Sequence, residues 1–250
     1  ISADSRQVYK GLNIGTGKIT KKEMRRVQHH LLDVASAKRQ FTAEDFTRLG
    51  KKAIRDVAAR GKLPIIVGGT GFYIDALLGR IVLPNVPPNT SLRNRLSKKS
   101  PAALFSLLKK LDPVRAKTID AKNPRRTIRA IEIAYTLGKN PPPSTNSPFN
   151  AEWIGIAPNP EVLNKKIEKR LRERLKKGMI AEAKKLKRSG LSYKRMEELG
   201  LEYRSLSRYL QGVISKSELF EELSRDIKRY AKKQMAYWKR NTEIKWRVVR

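Results

Sequence analysis

The amino-acid sequence predicts an α/β protein with a parallel sheet core and a mainly helical remainder, on three observations. A short apolar start, Ile1-Ser2-Ala3, runs into one carboxylate, Asp4, set among the hydroxyl, guanidinium and amide groups of Ser5-Arg6-Gln7. Open α/β sheets present chemistry in this way, at the carboxyl ends of buried strands. A second apolar run, Ile65-Ile66-Val67, shows no alternation, as a strand covered on both faces requires, and ends in Gly68-Gly69-Thr70-Gly71. From about position 161 the chain reads as basic helices in succession.

Each element has its own signal. Asp4 ends the first strand, but Asp ahead of polar residues also caps turns through its own backbone. The stretch alone leaves both readings open. Thr42-Ala43-Glu44-Asp45 is a capping-box-like start, after which Phe46, Leu49, Ala53, Ile54 and Val57 keep a helical stripe as far as Gly61. After Gly68–Gly71 a helix carries Phe72, Tyr73, Ile74, Ala76, Leu77 and Leu78. Strand, glycine turn and helix aim backbone N–H groups at a phosphate. Plain steric need explains glycines equally well, so Thr70 stands between a functional and a structural role.

Proline-rich links, Pro84 to Pro88 and Pro141-Pro142-Pro143 to Pro148, bracket a helical insertion near 85–150. Within it Asn123-Pro124 supplies an N-cap and first-turn pair, and Gly138 a stop. At about 100° per residue, Arg125, Arg126 and Arg129 share one side, with Ile128, Ile131 and Tyr135 opposite. Three arginines with no carboxylate before Glu132 repel one another unless an anion lies between them. Trp153-Ile154-Gly155-Ile156-Ala157 reads as a core strand. A long basic helix from 161 to 188 carries Leu163, Ile167, Leu171, Leu175 and Met179, whose spacing drifts as a packing stripe does. Helical signals continue through Tyr203-Arg204 and Tyr209-Leu210. A last helix runs from about Ser217 to Trp238, before a closing strand from Ile244 to Val249. The predicted organisation is a core over 1–160, a basic helical segment over 161–216, and a helix and strand over 217–250 that return to the core.

Composition narrows the function. The 250 residues include 56 Lys+Arg against 23 Asp+Glu, a formal net charge of +33. Residues 161–250 hold 27 basic and 12 acidic side chains, so positive charge is denser there than in the first 160 positions, with 29 and 11. Such a field favours a polyanion, nucleic acid before an anionic membrane, because no amphipathic segment pairs a basic face with exposed aromatics. Cysteine is absent and the two histidines adjoin, which removes disulfides, thiolate metal sites and any histidine metal cluster within the chain. No run is long and apolar enough to span a bilayer. Ile1 is no initiator Met and stands partway along a strand, which predicts a segment upstream.

Gly15-Thr16-Gly17-Lys18 imitates a phosphate-binding P-loop, but that loop needs Gly where Leu12 stands and a hydroxyl where Ile19 stands. The opening run Asp4-Ser5-Arg6-Gln7-Val8-Tyr9-Lys10-Gly11 with Gly15-Thr16-Gly17-Lys18 instead resembles the signature of the tRNA dimethylallyltransferase (tRNA isopentenyltransferase) family. Four more matches follow in family order: His29-His30-Leu31-Leu32-Asp33, Pro64-Ile65-Ile66-Val67-Gly68-Gly69-Thr70-Gly71, Asn123-Pro124-Arg125-Arg126-Thr127-Ile128-Arg129-Ala130, and Gln234-Met235-Ala236-Tyr237-Trp238. Together they span nearly the whole chain.

The resemblance implies a P-loop-type α/β core whose first strand and P-loop lie upstream of Asp4, with a helical part facing tRNA. It implies transfer of a dimethylallyl group from dimethylallyl diphosphate to N6 of the adenosine 3′-adjacent to the anticodon, position 37, by a bacterial-type, cytoplasmic, monomeric enzyme using Mg²⁺. By family match Asp4 accepts the proton of the amine, Thr70 and Arg170 serve the diphosphate, and Ser5, Arg6 and Gln7 line the base pocket. Arg93 and the segment Arg125, Arg126, Thr127, Ile128 and Arg129 touch tRNA in the same reading, with Thr70. Without the upstream cradle, residues 1–250 are expected to bind tRNA but to transfer no prenyl group alone. Two other classes compete. A nucleotide kinase on the same core would use Thr70 and Arg129 for ATP without needing +33, and a non-catalytic RNA-binding protein would need no cradle.

Overall fold

Capping chemistry sets most helix boundaries. In the computed structural model, which describes residues 1–142 and 147–248, Thr42 and Asp45 close a capping box over α1 (Ala43–Ala58), burying Phe46, Ala53 and Ile54. α2 (Gly71–Leu77) follows the glycine turn, and its Tyr73 ring stacks on Phe46 at 4.4 Å between centroids. The remaining helices are α3 (Thr90–Ser97), α4 (Pro101–Leu111), α5 (Pro113–Thr118), α6 (Pro124–Leu137), α7 (Pro160–Lys176), α8 (Met179–Arg188), α9 (Tyr193–Leu199), α10 (Leu201–Leu210) and α11 (Lys216–Trp238). Strands β1 (Ile154–Ile156) and β2 (Lys245–Arg247) pair in parallel, Ile154 opposite Lys245. The fold is therefore α/β with parallel pairing, and mostly helical. No described helix is long and apolar enough to cross a membrane.

The chain divides into two compact units, Ile1–Leu78 with Pro148–Arg250, and Gly79–Ser147. The first holds two cores. One gathers Val8, Leu12, Leu171, Met179, Met196, Tyr203, Leu206 and Leu223, so the opening loop is packed against the later helices. The other gathers Ala3, Phe46, Ile54, Tyr73, Ile74 and Leu77, with Trp153 and Trp238 against it. The second unit has its own core around Leu96, Leu104, Leu108, Ala130 and Ile131.

Four expectations change. Ile65–Val67 does run parallel to Ile1–Ala3, with Val67 N–H donating to Ile1 and Ala3 N–H to Val67, but the pairing is one bridge long. Ile65 and Val67 are 64% and 66% exposed, not covered on both faces. Ile154 and Ile156 of β1 are exposed likewise, because a two-stranded ribbon covers little of its own side-chain surface. The basic helix predicted over 161–188 breaks into α7 and α8 at Gly178, whose φ of 100° lies outside the helical range. Tyr135, placed with the buried isoleucines, is half exposed. Pro143 and Val249, parts of a predicted link and strand, lie outside the described residues.

Candidate active site

Backbone pairing of Ile1–Ala3 with Ile65–Val67 delivers two polar residues to one place. Thr70 N–H donates to the Ala3 carbonyl at 3.1 Å, and Ser5 N–H donates to Thr70 Oγ1 at 3.1 Å. Asp4 lies between them. Its Oδ1 accepts from the backbone N–H groups of Arg6, at 2.7 Å, and Gln7, at 3.1 Å, so the turn-capping reading is correct. Among the described residues Oδ2 accepts nothing. Capping and proton acceptance are thus compatible: one oxygen fixes the carboxylate, and the other is available.

The glycines beside Thr70 allow close approach of α11 side chains. A Cβ on Gly69 would lie 2.0 Å from Gln234 Nε2, and one on Gly71 would lie 2.2 Å from the Tyr237 ring. Gln234 donates to the Gly69 carbonyl at 3.2 Å, and the Tyr237 hydroxyl donates to Asp75. The sequence match at Gln234–Trp238 therefore marks the helix that clamps the Thr70 turn. Tyr230, one turn earlier on α11, has its phenol pushed up by burial and by the charge of Asp4.

The loop after Asp4 is held by a carboxylate that the sequence reading passed over. Glu182 accepts from the backbone N–H of Asn13 (3.0 Å), Ile14 (2.7 Å) and Gly15 (3.0 Å), and from the buried Tyr203 hydroxyl (2.7 Å). Burial, then the Glu182 charge, pushes the Tyr203 phenol far up, so it stays a neutral donor. Carbonyls of the same loop take the Gln7 amide, from Thr16 and Gly17, each at 3.4 Å. Lys18, the lysine of the false P-loop, turns inward to the Tyr9 carbonyl (2.7 Å) and Asp33 (2.6 Å). It is not offered to a phosphate.

On α7, Arg170 is exposed, one turn ahead of Arg174. Arg174 donates to the Gly15 carbonyl at 3.3 Å and stands 3.7 Å from Glu202. Burial pushes the Glu202 carboxyl up and the Arg174 guanidinium down, and the field of Asp4 reaches both. Sequence reasoning missed this pair: Arg174 is one cation among many in α7, and Glu202 had no partner in sight. The only local sign was Gly200, two residues before it.

The second unit holds the other predicted arginines, and they divide. Glu132 is 1% exposed and accepts from Arg93 Nε (2.9 Å) and Nη2 (2.6 Å), the Asn89 N–H (2.6 Å), and Arg129. Burial alone would raise its carboxyl; these donors outweigh it and hold it below the usual range. Arg129 also donates to the Val86 carbonyl at 2.9 Å. The mutual repulsion expected of Arg125, Arg126 and Arg129 is therefore relieved at Arg129 by a buried carboxylate, one helical turn on. Arg125 and Arg126 stay exposed at the start of α6. Thr127 is buried, its hydroxyl donating to the Asn123 carbonyl at 3.1 Å, and Ile128 packs on the core.

A carboxylate and a threonine thus come together where the paired segments Ile1–Ala3 and Ile65–Val67 end, in a chain of formal net charge +33. The family model described as IPP transferase matches residues 7–241, and the chain belongs to that family. It is 36% identical over 252 residues to the tRNA dimethylallyltransferase of Anoxybacillus flavithermus, covering 98% of this chain and 80% of that one. It is 41% identical over 257 residues to tRNA dimethylallyltransferase 2 of Treponema denticola, covering 98% and 86%. The crystal structure of the tRNA isopentenylpyrophosphate transferase from Bacillus halodurans superposes with a TM-score of 0.72 at 34% identity, over 99% of this chain and 80% of that one. A eukaryotic dimethylallyltransferase acting on tRNA shares the fold, with a TM-score of 0.83 at 23% identity, over 99% and 66%.

Proposed function

We infer that the protein transfers a dimethylallyl group from dimethylallyl diphosphate to N6 of the adenosine 3′-adjacent to the anticodon, position 37, of tRNA. The observation that carries this is the half-used carboxylate of Asp4, held beside Thr70 in a chain of the IPP transferase family. An exocyclic amine is a weak nucleophile because its lone pair is delocalised into the ring. Asp4 Oδ2 orients the amine and takes its proton as the N6–C1 bond forms and the bond from C1 to the diphosphate oxygen breaks. The electron pair of the broken bond leaves on the diphosphate, whose charge falls to the Thr70 hydroxyl and Arg170. Ser5, Arg6 and Gln7 line the space for a base drawn out of its stack, and exposed Arg125 and Arg126 hold RNA phosphates.

Among the described residues no group of three or more His, Cys, Asp or Glu gathers to hold a metal. Mg²⁺ in this reading arrives with the diphosphate, and no step is assigned to it. The protein acts as a monomer on the anticodon stem-loop, in the cytoplasm where tRNA is. Neither a nucleotide kinase nor a passive RNA binder explains why relatives matched over 98% of the chain are named tRNA dimethylallyltransferases. The test is nucleoside analysis by mass spectrometry of total tRNA after deletion of the encoding gene. The dimethylallyl adenosine should vanish, return with the unaltered gene, and stay absent with Asp4→Ala. Unchanged tRNA in the deletion strain refutes the assignment.

A further inference from the structure

Arg174 carries a charge that the fold leaves partly unused. A guanidinium has five N–H donors. Here one hydrogen bond goes to the Gly15 carbonyl at 3.3 Å, and one loose ion pair to Glu202 at 3.7 Å. The side chains are nonetheless only 19% and 12% exposed. None of the remaining Arg174 donors is sealed from solvent without a partner, so they remain within reach of solvent and of a ligand.

The backbone is shaped around this pair. A Cβ on Gly17, whose φ is 60°, would lie 1.9 Å from Arg174 Nη2, so the guanidinium packs closely on a turn that favours glycine. Glu202 is delivered by two residues in rarely populated conformations, Gly200 at φ 73°, ψ −173° and Leu201 at φ 32°. Strain of this kind persists where the surroundings impose it, commonly at functional sites. Arg170 stands one helical turn before Arg174, and Arg6 lies against Gly200. Arg174 feels the charges of Arg170 and Asp4, and Glu202 those of Arg6 and Asp4, so three guanidiniums and one carboxylate share the neighbourhood of Asp4.

We propose that Arg174 is a second guanidinium of the leaving-group site, donating to phosphate oxygens of the diphosphate, with Glu202 as the positioning residue that holds it until substrate enters. The proposal rests on the dimethylallyl-transfer reading. A diphosphate presents paired oxygens that match a planar guanidinium, and it replaces a contact too long to be a strong hydrogen bond. An RNA backbone phosphate offers the same oxygens, so the experiment separates the two sources.

The measurement is calorimetric titration of the protein with inorganic pyrophosphate in the absence of tRNA, and in parallel with an anticodon stem-loop RNA. Arg174→Met, which keeps the apolar stem, should weaken pyrophosphate binding by at least about tenfold, and Arg174→Lys by less. Glu202→Gln removes the competing negative charge and should tighten pyrophosphate binding several-fold, a direction that mere loss of packing cannot produce. RNA binding should change little in all three. The proposal is overturned if the unaltered protein takes up no pyrophosphate, if Arg174→Met binds it unchanged, if Glu202→Gln weakens it, or if only the RNA titration moves. Because no tRNA modification is read, this outcome is independent of the gene-deletion test.

Discussion

Glu182 should be the most sensitive single position outside the apolar cores. Replacing it by Ala removes four hydrogen bonds to an ionised acceptor: three from backbone N–H groups of residues 13–15, and one from the Tyr203 hydroxyl. Asn13 N–H is exposed and regains water, so its loss costs little. Ile14 and Gly15 are part-buried, and Tyr203 is 1% exposed. A buried hydroxyl left unpaired costs about 1–3 kcal/mol, and the two shielded N–H groups add about 1 kcal/mol each. The sum is about 3–5 kcal/mol, a large share of the roughly 5–15 kcal/mol that holds a domain together. Tyr203→Phe removes only one donor and should cost about 1 kcal/mol. Urea unfolding of both single variants and the double variant closes a cycle, and a coupling of about 1 kcal/mol or more is expected for partners in direct contact. A Glu182→Ala midpoint indistinguishable from that of the unaltered protein, or additivity within about 0.3 kcal/mol, refutes the reasoning.

Further outcomes follow from the same geometry. In single-turnover transfer assays of a chain extended upstream of Ile1, Asp4→Ala should lower the rate by roughly 10²–10⁴-fold, the range for a general base, with tRNA affinity by filter binding nearly unchanged. Arg125→Ala and Arg126→Ala should each flatten the plot of log K against log salt by up to about one unit. Arg93→Ala and Arg129→Ala, which strip a buried carboxylate of its donors, should instead lower the melting temperature of the second unit; stability unchanged in both would remove Glu132 from that role. Glu132 and Asp112 are both held below the usual carboxylate range, against burial, by their hydrogen-bond donors. Their stabilisation is present above the unfolded pKa of about 4 and is lost as pH falls through the lower folded values. Thermal melts should therefore show the second unit weakening below about pH 4, and Glu132→Gln should blunt that dependence.

Signals that act within a few residues were legible in the sequence. Thr42 with Asp45, and Asn123 with Pro124, start helices where they were read, because a cap satisfies N–H groups only three positions away. The rejection of the P-loop reading rested on Leu12 and Ile19, and Lys18 does turn inward. The five-part motif order identified the family, since those spacings persist along the chain whatever the fold does with them. Partnership across the fold was not legible. That Asp4 uses one oxygen and leaves the other, that Glu182 supports a loop some 169 positions away, and that Arg93 and Arg129 share Glu132 are decided by which elements pack together. Burial of Ile65 and Ile154 was misjudged for the same reason: hydrophobic pattern reports what a side chain prefers, whereas exposure depends on what the rest of the chain places over it. A charge in a run of charges carries no mark of its partner, so the Arg174–Glu202 pair could be found only once the fold brought the two side chains to 3.7 Å of each other.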